Sequence, residues 1–203
     1  NRIDKKSANK ILDIGCGSGM STFPLRMRYP KAKITGVDLS ETMLEKARQV
    51  LKDVSWIQRD CKKPLTDLGK FDIVFSNAFL QWLPNQEEFV KNTRELLEVD
   101  GVFAIQIPDF SSMKVAVAIQ NAVKKFDEND EIFHGVEEKS TYTYSLDEYY
   151  NMFSKYFGSI DIWQTTYMHQ MKDHSAIIEF ISSTALIPYM ERLNEAGAAQ
   201  FKN

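Results

Sequence analysis

A glycine-spaced turn placed directly after an apolar run constrains this chain more than any other feature. Residues 10–15 read KILDIG, a short buried strand, and Asp13-Ile14-Gly15-Cys16-Gly17-Ser18-Gly19 carries its end into the turn. Glycines at such a turn remove Cβ atoms, so a ligand can approach the backbone closely. A helical stretch over residues 20–29 follows, which makes the opening of a βαβ unit. A plain tight strand-to-helix turn is the competing interpretation of the same glycines.

The rhythm continues. Lys33–Asp38 (KITGVD) is a second strand, and Ser40 is a good N-cap for a helix with Met43, Leu44, Ala47, Val50 and Leu51 on one face. Residues 55–60 (SWIQRD) form a third strand. Phe71–Asn77 (FDIVFSN), mostly apolar, forms a fourth that reads as buried and parallel. After an amphipathic helix over 86–98, Asp100-Gly101 turns into a fifth strand over 102–107, which Pro108 ends. This alternation predicts an α/β fold: a doubly wound, mostly parallel sheet with helices on both faces. Beyond it come a helix over 112–126, an acidic loop over 127–139, a helix over 145–157 and a long strand over 159–171. Asp173 then N-caps a helix with Ile177, Ile178, Phe180 and Ile181 on its apolar face, and helical patterns run to about Gly197. The 203 residues suit one domain, with a ligand-binding core at about 10–109 and a substrate-side region at about 110–203.

Composition removes several function classes. The net charge of −3 and the absence of a Lys/Arg run argue against a nucleic-acid partner. No apolar run approaches the ~18 residues that span a bilayer, and residues 1–10 are too polar for a signal peptide. The two cysteines, Cys16 and Cys61, match no metal spacing and read as reduced thiols of a cytoplasmic protein. His134, His169 and His174 lack metal-ligand spacing. An EF-hand loop starting at Asp127 needs glycine where Ile132 stands. Gly17-Ser18-Gly19 is not a nucleophile elbow. No metal is expected.

In doubly wound sheets ligands bind beyond the carboxyl ends of the strands, near the point where strand order reverses. The glycine turn, Asp38, Asp60 and Asn77 all lie just past strand ends. Asp38 can accept hydrogen bonds from both hydroxyls of a ribose, or serve as a turn residue. Asp60 can accept from the exocyclic amine of an adenine, or be a solvated turn residue. Asn77 can present carbonyls to an ammonium group. A dinucleotide fingerprint needs its third glycine at position 20, which is Met20, so the G-x-G-x-G spacing disfavours a pyrophosphate ligand.

Taken as an ordered set, residues 13–19, Asp38-Leu39-Ser40 with Met43, Asp60 and Phe71–Asn77 resemble the cofactor motifs of class I S-adenosylmethionine-dependent methyltransferases, across roughly residues 10–109. The resemblance implies S-adenosylmethionine as cofactor. It places Asp13 in the glycine motif, Gly15, Gly17 and Gly19 beside the methionine moiety, Asp38 on the ribose and Asp60 on the adenine edge. Leu39 and Cys61 would pack on the adenine faces, and Met43 either joins them or belongs to the core. Residues 80–84 (LQWLP), 106–109 (QIPD) and 161–171, with His174 and 176–178 following, resemble the trans-aconitate methyltransferases. That family implies methyl transfer to a carboxylate of a small unsaturated tricarboxylic acid. By family resemblance, Asn77-Ala78-Phe79-Leu80 stands where methyltransferases of amides and adenine amines carry an Asn/Asp-Pro-Pro-aromatic tetrad, which speaks against that acceptor class.

A carboxylic acid with a pKa near ~4 is already ionised at neutral pH. It needs no general base, so no catalytic side chain is expected, and rate comes from proximity, alignment and exclusion of water. Tyr167 and His169 fall on one face of the predicted strand and offer donors to an anionic acceptor, although a lone His on a strand is often structural. Trp82 either walls the acceptor pocket or packs in the core. Two further readings are a nicotinamide oxidoreductase and a cofactor-binding module without catalysis. By resemblance a class I sheet has seven strands, whereas six are legible here and no Met precedes the first. An incomplete domain with weak catalysis of its own is the resulting expectation.

Overall fold

The computed structural model describes residues 3–109, 113–128, 131–134, 136, 142–182 and 185–202. They fall into two compact units: Asn1–Pro108 with Tyr144–Ile162, and Asp109–Thr143 with Trp163–Asn203. In chain order the elements are β1 (Lys10–Ile14), α1 (Thr22–Arg28), β2 (Lys33–Asp38), α2 (Glu41–Val50), β3 (Ser55–Gln58), β4 (Phe71–Asn77), α3 (Gln86–Glu95) and β5 (Leu97–Gln106). They are followed by α4 (Lys114–Phe126), α5 (Leu146–Ser154), α6 (His174–Ser182), α7 (Ile187–Met190) and α8 (Glu195–Phe201).

The first unit is built on a five-stranded sheet of order β3-β2-β1-β4-β5, with every neighbouring pair parallel. Strand order reverses between β1 and β4, so the switch point lies beyond Ile14 and Asn77. Side chains alternate across the sheet. Leu12, Ile14 and Val74 join Phe89 and Tyr149 in a core on one face, whereas Ile11, Ile34 and Ile73 join Leu25 and Tyr29 on the other. Helix starts follow their caps: the Ser40 hydroxyl accepts from the Met43 amide at 3.3 Å, and Ser145 with Glu148 forms a full capping box at α5.

Two sequence expectations change. β5 begins at Leu97 rather than Val102, and Asp100-Gly101 is a kink inside it: Asp100 has φ +60°, and the pairing with β4 shifts register between Phe71 and Ile73. The extra residues are taken up as a bulge rather than a turn. The strand expected over 159–171 is absent. The chain there makes no ladder, and residues 163–170 are all exposed. Alternating side chains specify a strand only where a partner supplies the hydrogen bonds and a core covers one face.

The second unit has its own core of Ile119, Phe133, Val136, Ile181, Leu186 and Phe201. Phe133 packs against Phe126, Tyr189 and Phe201 with ring centroids 5.2–5.8 Å apart. Asp127 is not simply a solvated acidic residue: its carboxylate accepts the amides of Glu131, Ile132 and Phe133 at 2.9, 2.8 and 2.7 Å, which turns the chain after α4. Asn129, Asp130, Gly135 and residues 137–139 of the same expected loop, and Ser112 of the expected helix start, lie outside the described residues.

Trp56 locks β2 to β3. Its indole nitrogen donates to the Leu51 carbonyl at 3.0 Å, and a Cβ at Gly36 would lie 2.3 Å from its Cζ3. With the ring pinned by that hydrogen bond, Gly36→Ala is expected to cost about 1–3 kcal/mol of stability through overpacking. Urea unfolding measures this, and an unchanged midpoint at unchanged slope would show that the ring moves freely.

Candidate functional site

The three motif glycines all sit at positive φ, +71° for Gly15, +53° for Gly17 and +80° for Gly19, but they are required for different reasons. A Cβ on Gly15 would lie 2.7 Å from the Phe79 ring, and one on Gly19 would lie 3.0 Å from Trp56 and 3.2 Å from Ala47. A Cβ on Gly17 would meet nothing within 4 Å. Close approach of a ligand to backbone was the reason expected for all three. In the structure two of the Cβ atoms are displaced by the protein's own rings and helix, and only Gly17 faces open space.

The loop is anchored from both sides. The Gly15 and Cys16 amides donate to the Val37 carbonyl at 2.9 and 3.1 Å. Asp38, half-buried at the end of β2, accepts the Gly17 amide on Oδ2 and the Ser40 amide on Oδ1, each at 2.9 Å. Every carboxylate oxygen has a second lone pair, so Asp38 can bind the loop and still accept two further donors. Leu39 and Met43, next along the chain, are 63% and 42% exposed, apolar surface that a flat ring can cover.

Asp13 alternates with Leu12 and Ile14 and therefore points to the face covered by α1. It is fully buried; Oδ2 accepts the Thr22 hydroxyl at 2.6 Å, while Oδ1 has no partner among the described residues. Asp60, after β3, is half-buried and accepts the Lys62 amide at 3.0 Å. Cys61 is buried, its thiol directed at the Val37 carbonyl at 3.6 Å, and burial pushes it up to about 12. Burial raises the Cys16 thiol as well. Neither thiol is a thiolate at neutral pH, so neither is a nucleophile.

Asn77 ends β4, and Ala78 follows at φ +55°. Phe79 then lies against Gly15, which joins the turn after β4 to the glycine loop. Trp82, in a turn of 3-10 helix over Leu80–Trp82, is 52% exposed and gives its indole N–H to the Ala78 carbonyl at 3.2 Å. It is thus not a core residue. Tyr167 and His169 belong to the second unit, in exposed chain, with ring centroids 6.3 Å apart. No local sequence signal pointed to the roles of Ala78 or Thr22. Gln81 entered the sequence reading only as part of the 80–84 segment, with no role of its own.

Among the described residues no group of three or more His, Cys, Asp and Glu can hold a metal, and no helix is long and apolar enough to cross a membrane.

A family profile described as a methyltransferase domain matches residues 5–173. Trans-aconitate 2-methyltransferase of Escherichia coli (strain K12 / DH10B) is 34% identical over 197 residues, which is 96% of this chain and 74% of that protein. The protein of the same name from Shigella flexneri is 34% identical over 195 residues, with the same coverage of each chain. Among solved structures, the YcgJ protein from Bacillus subtilis has a TM-score of 0.53 at 20% identity, covering 75% of this chain and 62% of that one. That likeness concerns the fold, and this chain spans a little under two thirds of that structure.

Asp13 gives the site a measurable signature. Burial raises its carboxyl from 3.8 to about 7, with the Thr22 hydroxyl opposing the rise and the Asp38 charge adding to it. Between about pH 4 and pH 7 the folded chain therefore holds a proton that the unfolded chain has released, so stability falls as pH rises through that window. Asp13→Asn removes this titration while keeping the shape. Urea midpoints taken from pH 4 to 7.5 should fall with pH more steeply in the parent than in the variant, and parallel curves would show that Asp13 is ionised in the fold.

Proposed function

The chain belongs to the methyltransferase-domain family, as a class I S-adenosylmethionine-dependent enzyme, and on that premise we propose that it methylates a carboxylate oxygen of a small polycarboxylic acid, with trans-aconitate the first candidate. The observation that carries the acceptor class is the 34% identity to trans-aconitate 2-methyltransferase, which extends over 96% of the chain and so includes the second unit as well as the sheet.

The cofactor supplies a methyl carbon on a sulfonium sulfur, which takes the bonding electron pair when an acceptor oxygen attacks. The residues at the switch point fit such a group. Open space over Gly17 admits the methionine end, and the free lone pairs of Asp38 match a ribose diol. Leu39 and Met43 offer exposed apolar surface to the adenine, with buried Cys61 behind it and Asp60 at its edge. The carbonyls around Asn77, at the end of β4, are acceptors suited to an α-ammonium, while Asp13 stays buried beneath the loop and supports it from below.

The acceptor oxygen needs no activation, since a carboxylate is ionised at neutral pH and no proton is released on esterification. The chain's own contribution is to hold the two reactants in line and to exclude water; well-oriented reactants gain on the order of 7–11 kcal/mol this way. Tyr167 and His169 are exposed in the second unit and carry donor groups of the kind an anionic acid needs; the Trp82 ring is exposed in the first unit, apolar surface of the kind that packs beside a substrate.

Asp38→Ala should weaken S-adenosylmethionine binding by about 1–3 kcal/mol, the cost of poorly paired ribose hydroxyls and a loosened loop. Calorimetry with unchanged affinity would remove Asp38 from the site. In a methyl-transfer assay over a panel of carboxylic acids, unsaturated tricarboxylates should be the preferred acceptors, with a rate that stays flat from roughly pH 6 to 8. A steep dependence around pH 7 that survives His169→Gln would point to a general base and overturn the carboxylate reading.

A further inference from the structure

We infer that Gln81 and Trp82 are positioning residues: their side chains clamp the Ala78 carbonyl and so fix the turn after β4 that faces the α-ammonium end of the cofactor. The inference rests on the cofactor reading above and adds to it two residues that hold the turn without forming part of the glycine loop.

Among the described residues only Ala78 and Asp100 have positive φ without being glycine. Asp tolerates that region through local hydrogen bonding of its side chain; Ala has no such compensation, so the surroundings must impose it. They do so at both ends of the residue. The Ala78 amide donates to the Gln106 carbonyl of β5 at 2.8 Å, and the Ala78 carbonyl accepts Gln81 Nε2 at 2.8 Å together with the Trp82 indole N–H at 3.2 Å. The direction the chain takes from Ala78 brings the Phe79 ring against Gly15.

Gln81 is costly as packing. It is only 2% exposed, and its Oε1 is buried with no partner among the described residues. A Leu or Met would fill the same volume without a stranded carbonyl. The amide cannot be turned over to rescue that oxygen, because the turn would set it against the Ala78 carbonyl. The side chain is therefore explained by its donor. Trp82 repeats the arrangement from the next position: its N–H is committed to the same carbonyl while its ring stays half in solvent.

S-adenosylhomocysteine and methylthioadenosine separate this role from a merely structural one, since the second lacks the amino-acid moiety. Gln81→Met keeps the burial and removes the donor; Trp82→Phe removes the indole N–H from a half-exposed side chain and serves if Gln81→Met does not fold. Calorimetry should show S-adenosylhomocysteine binding weakened about fivefold to tenfold in Gln81→Met and about threefold in Trp82→Phe, with methylthioadenosine held within about twofold of the parent. Unchanged S-adenosylhomocysteine affinity in a folded variant overturns the clamp, and so does an equal loss of both ligands, which would mean that the whole cleft has loosened. A parent chain that binds neither ligand overturns the cofactor reading itself.

Discussion

The Asp38 carboxylate accepts one backbone N–H from the glycine loop and one from the start of α2, and the candidate site depends on that double grip. Gly17 is the one motif glycine with open space above it, and its amide is the group that Asp38 holds. The loop is thereby fixed to the end of β2 as well as to β1, so the strand spacing of the sheet is transmitted directly to the position a ligand would occupy. A backbone at φ +53° has no side chain to stiffen it; the charge-assisted hydrogen bond supplies the stiffness.

The motif that looks uniform in sequence is thus a composite. Gly15 makes room for Phe79 and ties the first loop to the turn after β4. Gly19 makes room for Trp56 and Ala47 and ties it to β3 and α2. Acceptor chemistry that needs no protein base places few demands beyond such positioning, which accords with a site whose most perturbed carboxyl, Asp13, is buried beneath the loop rather than standing free in the cleft.

Much of the sheet was legible because its determinants are local. Lys33–Asp38 and Phe71–Asn77 have the expected bounds, Ser40 caps where the sequence placed it, and the glycine turn falls at the end of β1. What was not legible depends on long-range pairing. Residues 159–171 alternate like a strand but join no ladder, and β5 runs through Asp100-Gly101 because β4 continues to pair beside it. The same distinction holds at the site. Asp38 and the glycines could be found by spacing, whereas Ala78 carries no local signal for its left-handed backbone, and the clamp on its carbonyl exists only once Gln81 and Trp82 have folded back on it.

The placement of the indole rings has an optical consequence. Of the three tryptophans in the chain, Trp56 lies against Gly19 and Gly36, half-buried and hydrogen-bonded, and Trp82 stands half in solvent on the turn after β4. One emits from beneath the glycine loop and the other from the turn at the carboxyl end of β4, across the switch point. With the half-exposed Trp163 replaced by Phe, intrinsic fluorescence reports on the two loops without any added dye: a blue-shifted component from Trp56 and a red-shifted, readily quenched one from Trp82, each recoverable by replacing the other with Phe as well.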